Sequence, residues 1–161
     1  MNTVKQMMWT MGFLLVCFTA SAQKDLDIAA IFDEYGRQEG AILIELGKDV
    51  LGDHTRIKHY KSLIVPSDTA MVRMTEAAID RDTQDGLKIL ESKKNGKIES
   101  ISCCLKKDKK APEYEYILYS CQSRKMTLIY VRGNFPPEEL ENELSKLKNL
   151  FIKVNNKRLK L

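Results

Sequence analysis

Apolar and polar positions along the chain alternate in blocks that predict an order of elements. Residues 7–18 form a nearly unbroken apolar run. From Asp25 the rhythm changes. Ile28, Ile31, Phe32 and Tyr35 recur at i, i+3, i+4 and i+7, which predicts an amphipathic helix over 25–35, with Asp25 or Asp27 to cap its start and Gly36 to end it. Alternation at Ile42, Ile44 and Leu46 predicts a strand, and the polar, glycine-bearing stretch 47–56 reads as a connection. Residues 57–65 are rich in β-branched and aromatic side chains and stop at Pro66, predicting a second strand. Ser67 and Asp68 are N-cap candidates for a helix over 69–82 with Met71, Met74 and Ala78 on one stripe and Gly86 at its exit.

The second half predicts a β-meander. Residues 87–94 and 97–106 flank Asn95-Gly96, a pair suited to a two-residue turn in which both residues take positive φ. A polar loop at 108–113 leads to strands over 114–121 and 126–132, joined by a turn at 122–125. Gly133 ends the run. Pro136 and Pro137 then open a helix, with Asn134 as its candidate cap and Leu140, Leu144, Leu147 and Phe151 as its stripe. Residues 155–161 read as a loose basic tail. Tyr114, Tyr116, Leu118, Met126, Leu128 and Tyr130 are expected on one sheet face, and Ile117, Tyr119, Ile129 and Val131 on the other. The expected architecture is a two-layer α+β domain over 23–161: a mostly antiparallel sheet packed with two or three helices, with apolar residues on both sheet faces to be covered.

Composition adds a destination. Lys5 precedes the apolar run, and Ala20-Ser21-Ala22 follows it with small residues in an A-x-A pattern. The run is shorter than the roughly 20 residues a bilayer span needs. Residues 1–22 therefore read as a secretory signal peptide, cleaved before Gln23. Cleavage takes the chain from 161 residues to 139, the net charge from +4 to +3 (Lys5 leaves), and the cysteines from four to three (Cys17 leaves). Trp9, the single tryptophan, leaves as well. No later segment is long and apolar enough to span a membrane, so the expected location is the periplasm or the outside of the cell.

The cadence of the mature chain, from Asn95-Gly96 through SISCCLKKDKKAPEYEYILYS to MTLIYVRGNFPPEELENEL, with Tyr60-Lys61-Ser62-Leu63 before it, resembles small exported α+β proteins of unknown function from Bacteroidetes. The resemblance covers most of residues 25–147. It implies export and an α+β fold, and brings no activity, cofactor or catalytic residue.

Candidate chemistry is sparse. Cys103 and Cys104 are adjacent on a strand and so face opposite sides. Cys104 is expected opposite Glu115 or Tyr116, leaving Cys121 ~17–20 Å further along at ~3.4 Å per residue, too far for a disulfide. The mature chain is therefore expected to hold three free thiols. Asp53, His54 and His59 are the residues from which an exported hydrolase would be built, but their spacing specifies neither a zinc site nor a nucleophile with its base. Asp80, Asp82 and Asp85 read as a solvated helix face. No phosphate-binding or dinucleotide-binding glycine motif is present, so no cofactor is expected. Lysines carry the remaining signal. Lys93, Lys94 and Lys97 surround the hairpin, and Lys106, Lys107, Lys109 and Lys110 crowd the next loop. Together they are the candidate binding region for an anionic envelope ligand or an envelope protein, nucleic acid being an unsuitable partner after export. The expected function is a non-enzymatic binding or interaction module.

Overall fold

A computed structural model describes residues 25–105 and 113–158, with side chains to residue 149. The signal-peptide reading, Gln23 and the four lysines at 106–110 lie outside the described residues. The elements are α1 (Ile28–Tyr35), β1 (Ile42–Gly47), α2 (Lys48–Leu51), β2 (Ile57–Pro66), α3 (Thr69–Asp82), β3 (Leu87–Lys94), β4 (Lys97–Cys104), β5 (Tyr114–Gln122), β6 (Lys125–Gly133), a 3-10 turn (Pro137–Glu139) and α4 (Leu140–Arg158). The six strands form one sheet in the order β1-β2-β6-β5-β4-β3, with every neighbouring pair antiparallel. This is an α+β fold with the expected meander from β3 to β6.

Register corrects the expected faces. Tyr116 lies opposite Val131, and Ile117 opposite Tyr130. Residues directly opposite in a ladder share a face. Tyr116 therefore belongs with Val131, while Tyr130 belongs with Ile117 and Tyr119. The register of β5 against β6 differs by one residue from the expected one. That offset moves a whole set to the other side.

The register also separates two cores and so makes three layers rather than two. On one face, Leu63, Ile101, Cys103, Ile117, Leu128 and Tyr130 pack under α1 and α3. On the other, Ile57, Cys104, Tyr116 and Val131 pack with Leu51, Phe135, Leu140 and Leu147. Leu51 explains why 47–56 is more than a loop: the single turn α2 exists to drive this fully buried leucine into the second core. Gly133 is required where β6 meets β2, because a Cβ there would lie 2.6 Å from the Arg56 carbonyl oxygen.

Helix ends show which polar residues the fold uses. Asp68 caps α3, its carboxylate accepting from the Met71 N–H at 2.8 Å. Asp27 sits at the start of α1 but makes no side-chain cap. Asp82, from the far end of α3, supplies it instead, accepting from the N–H groups of Asp27 at 2.8 Å and Ile28 at 2.9 Å. Asp82 is thus a tertiary cap rather than part of a solvated face. Asn134 does not cap the last helix, whose opening turn follows Pro136. That helix continues to Arg158, so the tail does not loosen at Asn155.

Candidate functional site

The two hairpin turns, β3–β4 and β5–β6, lie at the same end of the sheet. Their local chemistry differs. Asn95 and Gly96 take positive φ (52° and 76°), as their sequence predicts. Ser123 and Arg124 take positive φ as well (52° and 61°), although neither is a residue that favours it. The Arg124 carbonyl accepts from the Ser67 N–H at 2.9 Å and so ties this turn to the start of α3.

Between the turns and α3 lies a cleft of about 1070 Å³. The first two turns of α3 form one wall, with Asp68, Arg73 and Glu76. The hairpin tips form the other, with Lys93, Lys97 and Arg124. Half-buried Cys121 lines the cleft near Ser67, sulfur to hydroxyl 3.8 Å. A second, smaller hollow beside the tips takes in Lys94. Both carboxylates in the large cleft are engaged: Asp68 on the helix N–H already described, and Glu76 by the Tyr119 hydroxyl at 3.3 Å.

The cations here are unlike those elsewhere. Over the rest of the described chain, most basic side chains face a carboxylate within 4 Å. Arg81 meets Asp27 at 2.5 Å, and Lys146 meets Glu143 at 2.7 Å. At the tips only Lys93 does so, on Glu91 at 3.0 Å. Arg73, Lys94, Lys97, Arg124 and Lys125 are exposed and have no ion-pair partner among the described residues. Arg73, Lys93, Lys97 and Arg124 outnumber Asp68 and Glu76 around the cleft, and a net positive charge on a concave surface focuses potential toward an anion.

A family model matches residues 15–144 of the chain, most of its length. The chain belongs to DUF6108, a family of unknown function. No curated protein matches it.

Of the remaining predicted residues of this DUF6108 chain, Asp53, His54 and His59 do not line the cleft, and Lys106, Lys107, Lys109 and Lys110 lie outside the described residues. β4 carries the chain from Lys97 at the tips to Leu105 at the opposite end of the sheet, where the segment holding Lys106, Lys107, Lys109 and Lys110 begins. Lys93, Lys94 and Lys97 therefore do not form one continuous patch along β4 with the departure point of that segment. Asp53 and His54 are exposed beyond α2, with Asp53 3.1 Å from Lys48. His59 lies on the sheet face under α1 and α3, with Nε2 3.1 Å from Glu45 Oε1 and its ring edge-on to Tyr130. Burial lowers its pKa against the opposing pull of Glu45. The three hydrolase candidates are thus not brought together, and no group of three His, Cys, Asp or Glu among the described residues is placed to hold a metal ion.

Cys104 lies opposite Tyr116, within the expected register. Cys121 is ~17 Å further along β5 at ~3.4 Å per residue. Cys103, Cys104 and Cys121 are all free. Among the described residues no helix is long and apolar enough to cross a membrane.

Sequence reasoning found Lys93, Lys94 and Lys97 but missed Arg73, Arg124 and Lys125. The signal was available in part. A two-residue turn at Ser123-Arg124 necessarily projects its neighbours beside the other tip once β4 and β5 pair. Arg73 has no such local marker; only the packing of α3 brings it there.

Proposed function

We propose that this chain is an exported, non-enzymatic binding module that receives an anionic envelope ligand at the hairpin-tip cleft. The observation that carries the reading is the collection of cations without an ion-pair partner among the described residues, Arg73, Lys97 and Arg124 lining the cleft with Lys94 and Lys125 beside it, where most other described Lys and Arg side chains are paired. The leader pattern at residues 1–22 supports export, and intact mass of the secreted protein should begin at Gln23. The dispersed positions of Asp53, His54 and His59 leave the hydrolase reading without a constellation.

Retention on a heparin column tests the site. Lys97→Glu/Arg124→Glu should elute at clearly lower salt than the wild type. Lys48→Glu/Lys88→Glu changes the net charge equally at positions away from the cleft, and should elute between the two. Equal elution of both variants would show that net charge alone sets retention and would remove the cleft from the proposal. Vesicles of phosphatidylglycerol then separate a lipid headgroup from a polysaccharide as the source of the anion.

A further inference from the structure

On the face opposite α1 and α3, α4 lies over the centre of the sheet and leaves the β3 edge uncovered. Leu87 and Leu90 are each 59% exposed there, and Ile89 is 40% exposed. Ile89 and Leu90 also form one wall of an apolar groove of about 630 Å³, floored by Leu118 and closed on the other side by Leu140 and Leu144 of α4, while Leu87 stands outside it. One surface thus carries both protruding leucines and a depression able to receive them. A small apolar ligand in the groove would cover Ile89 and Leu90 but leave Leu87 in water. A second copy of the surface covers them and fills the groove together.

Charge selects the same occupant. Glu138 and Glu141 rim one end of the groove and Lys148 the other, and none of the three has an ion-pair partner among the described residues. Glu141 and Lys148 are about 10 Å apart along the helix at ~1.5 Å per residue. A two-fold axis across the groove turns one copy end for end, so that each Lys148 meets the other copy's Glu141. Edge-to-edge extension of the sheet is a poorer solution, because the β3 ladder shifts register between Lys88 and Leu90 and a bulge there interrupts a flat edge.

We infer that the β3–α4 face is a self-complementary interface and that the protein forms a two-fold dimer through it. Sedimentation velocity from about 1 to about 100 µM tests this directly. The wild type should run as a dimer at the upper concentrations, and Leu90→Lys should run as a monomer. Lys148→Glu and Glu141→Lys, each at an exposed position, should each weaken the dimer at least about tenfold. The combined Glu141→Lys/Lys148→Glu variant should restore it. A wild type that stays monomeric throughout, a dimer indifferent to Leu90→Lys, or a double variant no tighter than either single one would overturn the inference.

Discussion

Glu143 is wholly buried, and its carboxylate is satisfied on every side. Oε2 accepts from the Thr55 hydroxyl at 2.8 Å and the Arg56 N–H at 3.0 Å. Oε1 accepts from Arg56 Nε at 3.1 Å and Lys146 Nζ at 2.7 Å. Burial alone would raise its pKa, but these donors together carry it down to about 2. A carboxylate held below its unfolded value stabilises the fold above that value and loses the effect as pH falls. The loss should therefore run from the ordinary glutamate range near 4.5 down through about 2. Denaturant titrations should show about 3 kcal/mol of stability disappearing across that window. Glu143→Gln should remove that slope and cost about 2–4 kcal/mol at neutral pH, because buried donors lose a charged acceptor. In the sequence Glu143 is an acidic residue beside the stripe of Leu140, Leu144 and Leu147, indistinguishable from a solvated one. Its partners Thr55 and Arg56 lie far back along the chain, and spacing cannot reveal a contact made only by folding.

At the scale of elements, the two hairpins make a controlled comparison. Asn95-Gly96 suits its positive φ values, whereas Ser123-Arg124 adopts the same region with two side chains that resist it. The unfavourable backbone sits where Arg124 and Ser123 line the cleft, which is the distribution expected when local conformation serves a surface. Replacing Ser123-Arg124 by Asn-Gly should raise stability by about 1 kcal/mol in thermal or denaturant melts. The same variant should elute from heparin at lower salt than the wild type, since it removes one unpaired cation. A gain in stability without a loss of retention would detach Arg124 from binding while leaving the turn argument intact. Elements of this kind were largely legible: α3 spans the predicted 69–82, and the Asn-Gly hairpin stands where the sequence placed it. What local pattern did not convey was relative register. Alternation shows which residues of β5 share a face, and separately which of β6 do, but only the Gln122–Lys125 closure decides that Tyr116 meets Val131.

The whole molecule is a sheet shielded independently on two sides, and its cysteines report each side. Cys103 is 2% exposed in the core under α1 and α3, whereas Cys104 is 5% exposed in the core under α4. Burial raises both thiols, Cys104 to about 11, so neither supplies appreciable thiolate near neutral pH. Cys121 is half-buried at the cleft and lacks that shielding. Of the three described thiols, an aromatic disulfide reagent should therefore label Cys121 quickly in the native protein, as mapped by mass spectrometry, and Cys103 and Cys104 only after denaturation. Weakening one layer should then break the symmetry. Glu143→Gln loosens the attachment of α4 to the start of β2 but touches nothing on the opposite face. In that variant Cys104 should become reactive before Cys103. Simultaneous exposure of the two would mean that the layers open as one cooperative unit, and earlier exposure of Cys103 would contradict the assignment of α4 to the Cys104 face.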